Sequence, residues 1–305
     1  MVDMKVSIAG VELKNPVIAA SGTLAFGEEY SQYMDVAALG AITLKALTKE
    51  KRLGNPPVRI AETASGVLNA VGLQNPGVDA FLEKQYSRVK RIDTVQIANI
   101  AGAAVEDYVY VTERLNDTEI ALFEVNVSCP NVKHGGVNFG TDASILEHVV
   151  SEVKKVAKKP LIIKLTPNVT SIQEMARAAK NGGADALSLI NTLTGMAIDP
   201  YTRKPIIKNT TGGLSGPAIK PVALRMVHEV YQAGLGLPII GMGGIMTGED
   251  AAEFMIAGAD AVMVGTATMR NPAATIDIIN ELEQFAKTND IGNITELTGT
   301  LQLED

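Results

Sequence analysis

The chain has 305 residues, 46% of them hydrophobic and 20% charged, with a formal net charge of −7, one cysteine and no tryptophan. These are the proportions of a globular protein that buries a sizeable core, and the acidic surplus without any basic run argues against nucleic acid or an anionic membrane as a partner. One cysteine excludes an internal disulfide and cannot hold an iron–sulfur cluster by itself, while His134, His148 and His228 lack zinc-site spacing, so no metal site is expected.

Short apolar runs alternate with amphipathic helical patterns. Residues 16–21 read as a first buried strand followed by a helix through about 30–39, and 41–45 as a second strand. A Gly/Pro/Asn-bearing excursion from Thr48 to about Pro76 exceeds the usual length of a connection, and a helix bearing Phe81, Tyr86 and Val89 follows it. The third strand is 94–99, with a helix at 105–115. The fourth is 120–127, with a helix at 144–156 that places Ile145, Val149, Val153 and Val156 on one face. Strand five is 161–164 with a helix at 172–180, and strand six is 186–190.

A second excursion, 191–216, contains a candidate hairpin at 200–208. A helix at about 218–232 then leads to strand seven, 237–241. The next helix starts with Thr247 facing Asp250 in a capping-box pattern. Strand eight is 259–264, and a helix at about 272–285 closes the set.

Eight continuous apolar runs, each with a following helix, are the count of a (β/α)8 TIM barrel with inserted loops at the carboxyl-end mouth. An open doubly wound sheet is the competing architecture. Polar residues gather at nearly every strand end and glycine-rich turns follow the last two strands, which favours the barrel. No linker or composition break appears, so residues 1–305 read as one domain. The N-terminus lacks the apolar core of a signal peptide and no stretch reaches membrane-span length, so the expected location is cytoplasmic.

The strand ends collect Ser21, Lys45, Asn99, Asn126 with Cys129, Lys164, Asn191 with Thr192, Gly243-Gly244 and Gly265-Thr266. An Asn after a strand is usually a turn former, but recurrence at equivalent places in one mouth points to a binding site. The two glycine turns after strands seven and eight occupy the usual position of a barrel phosphate site, where bare N–H groups face an anion. Lys45 and Lys164 end apolar strands and therefore call for an anionic partner, with a Schiff base or a side chain snorkelling to the rim as alternatives. Cys129 sits where the fourth strand stops at Pro130, ahead of Gly135-Gly136, and is a candidate base or nucleophile. A Cys–His hydrolase is the weaker alternative, because no histidine is evidently paired with it.

The segment Asn126-Val-Ser-Cys-Pro-Asn131 resembles the signature of the class 1 dihydroorotate dehydrogenases. Ala19-Ala-Ser-Gly22, Asn69-Ala-Val-Gly-Leu-Gln-Asn75 and Ile239-Ile-Gly-Met-Gly-Gly244 support it, and the similarity runs along essentially the whole chain. Asn131-Val-Lys-His-Gly-Gly136, Asn191-Thr-Leu-Thr-Gly195 and Gly212-Gly-Leu-Ser-Gly-Pro217 resemble the NAD-linked subclass, 1B. The resemblance implies an FMN-bearing barrel that oxidises (S)-dihydroorotate to orotate in de novo pyrimidine (UMP) biosynthesis. Cys129 would take the C5 proton and hydride would pass from C6 to flavin N5. Lys45, Asn69, Ala70, Val71, Gly72, Leu73, Asn126, Asn191 and Thr192 would hold the substrate. Ser21, Lys45, Ala46, Asn99, Asn126, Lys164, Ile190, Gly216, Gly243, Gly244, Gly265 and Thr266 would bind FMN. It further implies an electron-transfer subunit with FAD and a [2Fe-2S] cluster, in a heterotetramer of two catalytic and two electron-transfer chains. The alternatives are the fumarate-linked homodimeric subclass, 1A, and a Lys164 Schiff-base lyase barrel.

Overall fold

A computed structural model describes residues 2–128 and 139–303. Eight parallel strands close into a barrel: β1 (Val17–Ala19), β2 (Ala41–Thr43), β3 (Val95–Ile100), β4 (Leu122–Asn126), β5 (Leu161–Lys164), β6 (Ala186–Leu189), β7 (Ile239–Met242) and β8 (Ala261–Val264). Each pairs with its sequence neighbours, and β8 returns to β1 with Met263 opposite Ile18. Closure decides against the open sheet. Most of the strand residues are buried, as parallel strands covered by side chains inside and helices outside must be.

Helices Val105–Leu115, Ala143–Val156, Ile172–Asn181, Lys220–Gln232, Gly248–Ile256 and Ala274–Thr288 pack outside the barrel. Their starts follow local chemistry: Asp142 accepts from the Ile145 N–H, Ser171 from Glu174, and Thr247 with Asp250 forms the expected capping box. Within Ala143–Val156 the buried stripe is Leu146, Val149, Val150 and Val153. Ile145 and Val156 lie half-buried at its edges rather than at its centre.

The first repeat departs from the expected pattern. Instead of a helix over 30–39 the chain forms two 3-10 turns, Glu28–Tyr30 and Val36–Ala38. The Asp35 carboxylate accepts from the Ala37 N–H, a local bond that competes with helix continuation. An N-terminal hairpin, Val6–Ile8 with Val11–Leu13, was also not legible from its short pattern; it buries Ile8 and Leu13 completely.

The two excursions meet. Ile60–Thr63 and Gly66–Asn69 form a hairpin, and Gly66–Asn69 pairs with Thr211–Ser215, which pairs with Leu193–Met196. This four-stranded antiparallel sheet roofs the mouth. Close approach demands glycine at one joint: a Cβ on Gly66 would stand 2.1 Å from the Ser215 carbonyl oxygen. The candidate hairpin resolves into two-residue strands, Ile198–Asp199 against Lys204–Pro205. Among the described residues no helix is long and apolar enough to cross a membrane.

Candidate active site

Between the barrel mouth and its roof lies a cavity of about 450 Å³, within the range of small-molecule sites. β1 and the residues after it bring Ser21, whose hydroxyl donates to the Leu44 carbonyl at 2.8 Å. Lys45 and Ala46 follow β2, Asn126 ends β4, Lys164 ends β5, and Ile190, Asn191 and Thr192 follow β6. Gly216, Gly243, Gly244, Gly265 and Thr266 complete the wall, and the roof contributes Asn69, Ala70, Val71, Gly72 and Leu73. All the described residues expected to bind substrate or cofactor therefore converge on one cavity, except Asn99. That residue is fully buried and is not part of the wall. Cys129 lies outside the described residues; Ser128, its predecessor in sequence, lines the cavity.

The amides are held before any ligand arrives. Asn191 Nδ2 donates to Asn126 Oδ1 at 3.3 Å, and the Tyr108 hydroxyl donates to the Asn126 carbonyl at 3.0 Å. The Ser128 N–H reaches Asn126 Oδ1 at 3.2 Å. From the roof, Asn69 Nδ2 donates to the Gly213 carbonyl at 3.3 Å, tying together segments 144 residues apart. Asn168, which was not anticipated, braces the β6 exit: its Nδ2 donates to the Thr192 carbonyl at 3.0 Å and its Oδ1 accepts from the Thr194 N–H at 2.8 Å.

Among the described residues, the charged groups in the wall are Lys45, Arg59 and Lys164, all cations. Lys45 makes no ion pair with any described residue. Burial, and then the nearby Arg59 guanidinium, hold its ammonium below the usual lysine range. Arg59, on the roof hairpin's approach, was missed because a lone arginine in a long excursion carries no pattern. Lys164 is buried and stands 3.6 Å from Glu124, whose side chain is 0% exposed. Glu124 also accepts from the Ser188 hydroxyl at 2.8 Å and from the Asn99 amide. Glu124 was missed because it sits in an apolar run; the period-two spacing from Asn126, which puts both inside the barrel, was the available signal.

The glycines form a cradle that side chains would fill. A Cβ on Gly243 would meet Ala223 Cβ at 2.8 Å, and one on Gly244 would meet Lys220 Cβ at 2.8 Å and the Gly216 carbonyl at 2.9 Å. Gly216, Gly243 and Gly244 all adopt positive φ. Among the described residues, the Gly244, Gly265 and Thr266 N–H groups have no backbone partner. Thr266 Oγ1 is fixed by a 2.9 Å hydrogen bond to Ser215 Oγ. Bare N–H groups beside buried Met242 and Met263, in a wall that also carries Lys45, Arg59 and Lys164, suit a ligand with an anionic end and a flat ring.

The class this fold and site define is the (β/α)8-barrel enzymes, whose chemistry runs at the carboxyl-end mouth. A family model described as dihydroorotate dehydrogenase matches residues 3–286, and the chain belongs to that family. It is similar to the dihydroorotate dehydrogenase B (NAD(+)) catalytic subunit of Alkaliphilus metalliredigens, 58% identical over 300 residues that cover 98% of this chain and 99% of the relative. The proteins of the same description from Lachnoclostridium phytofermentans and Geobacter metallireducens are 54% identical over 297 residues and 53% over 302. These cover 97% and 99% of this chain, and 99% of each relative.

Proposed function

We propose that this chain, as a single FMN-binding barrel domain over 1–305, is the catalytic subunit of a cytoplasmic, NAD-linked dihydroorotate dehydrogenase of pyrimidine biosynthesis. The observation that carries the reading is the convergence of Lys45, Asn69, Asn126, Asn191 and Lys164 with a glycine cradle on one cavity whose charged lining, among the described residues, is cationic. Gly216, Gly243, Gly244, Gly265 and Thr266 would hold the FMN phosphate, and Ser21, Lys45, Ala46, Asn126, Lys164 and Ile190 the rest of the cofactor. Asn99 would act from beneath the wall through Glu124. FMN supplies the two-electron acceptor for the hydride released from C6 of the substrate.

The chain's own residues do the remaining work. Lys45, with no acidic partner among the described residues, attracts the substrate carboxylate into a cavity closed by the roof. Asn69, Asn126 and Asn191 offer donors and acceptors to the ring amides. Ala70 to Leu73 and Thr192 exclude water around it. The C5 proton goes to Cys129, since a thiol, with an ordinary pKa of about 8.5, is a side-chain type that can serve as a base. Its place in the sequence, directly after the cavity residue Ser128, supports the assignment. Loss of that proton and of the C6 hydride leaves the C5–C6 double bond of orotate.

Electrons would then leave through a partner subunit carrying FAD and a [2Fe-2S] cluster, two of each chain forming a heterotetramer. The relatives' description as catalytic subunits of an NAD(+) enzyme supports a partner. The lyase alternative is disfavoured by the match to the dihydroorotate dehydrogenase family over residues 3–286. The test is turnover of dihydroorotate by the chain alone and with its partner subunit. NAD reduction only in the complex supports the reading, and fumarate reduction by the lone chain would move it to the homodimeric subclass.

A further inference from the structure

We propose that Glu124 is a positioning residue for the cofactor site: its carboxylate anchors the Lys164 ammonium at the cavity floor and sets the charge that floor presents to a bound flavin. The inference rests on the reading of this cavity as an FMN site. Glu124 takes no part in the wall. It is nonetheless the carboxylate within ion-pair distance of Lys164 among the described residues, at 3.6 Å, with the two side chains 0% and 7% exposed.

Three strands fix it in place. Asn99 on β3 lies opposite Glu124 in register and donates to Oε2, while the Ser188 hydroxyl on β6 donates to Oε1 at 2.8 Å. Lys164 on β5 is flanked in register by Asn126 and Ser188, one step nearer the mouth than Glu124. The carboxylate is therefore clamped, and the lysine is pinned from below while its upper side faces the cavity.

Stability does not explain the pair. Replacing a buried ion pair with apolar residues of similar volume is often neutral or stabilising. A Leu–Met pair here would fill the barrel without desolvating two charges. What the pair supplies is a fixed cation at the cavity floor, with its charge balanced from the side away from the ligand. Among the described residues the other charged groups facing the cavity are Lys45 and Arg59; Asn99, Asn126, Ser128 and Ser188 are neutral neighbours. Reduction adds negative charge to a flavin, so nearby protein charge tunes its potential. With Glu124 present the floor is a neutral pair, and without it the floor carries an uncompensated cation.

The test is the midpoint potential of the FMN-loaded protein in wild type, Glu124→Gln, Lys164→Met and the double variant, all at one pH near neutrality. Glu124→Gln should favour the reduced cofactor about tenfold or more, since tenfold is the scale set by one unit charge as far as about 12 Å away at an effective dielectric near 20. For a two-electron couple this is a rise of about 30 mV. On the Lys164→Met background a lone buried carboxylate is driven neutral, so adding Glu124→Gln should leave the potential where it was.

A wild-type potential in flavin-loaded Glu124→Gln, or the same shift on both backgrounds, would overturn the proposal. Should Glu124→Gln fail to fold, Glu124→Asp keeps the charge but draws it back from Lys164. It should give a smaller rise in the same direction, and no rise would overturn the proposal. A wild-type protein that takes up no flavin defeats the FMN reading instead, before these variants are compared.

Discussion

Replacing Lys45 with methionine separates function from stability at one position. The side chain is partly buried, has no anionic partner among the described residues, and sits beside Arg59. A near-isosteric apolar side chain removes the cost of desolvating the charge while keeping the packing. The folded protein should therefore melt at the wild-type temperature or above. Orotate binding should weaken, because a hydrogen bond to a charged group contributes about 1.5–3 kcal/mol, or roughly 10- to 150-fold in Kd.

Isothermal titration of the FMN-loaded protein with orotate reads the affinity, and a thermal melt of the same sample reads the stability. The pH dependence follows from the lowered Lys45 value. Between that value and the usual 10.5 the folded protein holds fewer protons than the unfolded chain. Wild-type stability therefore gains a positive slope with pH in that window, and orotate affinity falls as the ammonium is lost. Lys45→Met should lack both. A variant that melts lower yet binds orotate as tightly as wild type would refute the reasoning.

Four further substitutions probe separate parts of the site and barrel. Gly244→Ala places a Cβ 2.8 Å from Lys220 Cβ at a φ of +82°, so FMN affinity should drop in equilibrium dialysis. Melting should also fall by about 1–2 °C per kcal/mol, with about 1–2 kcal/mol expected from the left-handed backbone; unchanged flavin affinity would remove the cradle from the cofactor site. Asp260 accepts from the Ile239 N–H at 2.8 Å, and burial raises its carboxyl above the usual 3.8. The destabilising charge is absent below that usual value and develops as pH rises through the folded one. Asp260→Asn should thus gain in urea resistance at neutral pH, whereas Asp185→Asn, which breaks a 2.5 Å contact with Lys154, should not. Cys129→Ala should keep FMN and orotate binding but slow flavin reduction in stopped flow by about 10²–10⁴, the usual contribution of a general base; near-normal reduction would reassign the base.

The barrel was legible because its signal repeats: β5 was read as 161–164 and the helix Val105–Leu115 as 105–115, each with the bounds found. Strand ends announced the site for the same reason, since Lys45, Asn126, Lys164 and Asn191 stand at equivalent places. The roof was not legible. Its partners are Gly66–Asn69 and Thr211–Ser215, far apart in sequence, and Gly212-Gly213 carries little strand preference. The helix expected over 30–39 failed for a local reason, the Asp35 bond to the Ala37 N–H. Glu124 was hidden by its apolar neighbours, because one carboxylate in a strand reads as an interruption until its partners on β3, β5 and β6 are seen.

The most direct measurement is anaerobic mixing of the FMN-loaded chain with (S)-dihydroorotate while the flavin absorbance is followed and the product assayed. The yellow absorbance should be lost, with orotate formed in equal amount to the flavin bleached. A flavin that keeps its absorbance with excess dihydroorotate, or a chain that cannot be loaded with FMN at all, would contradict the proposed function.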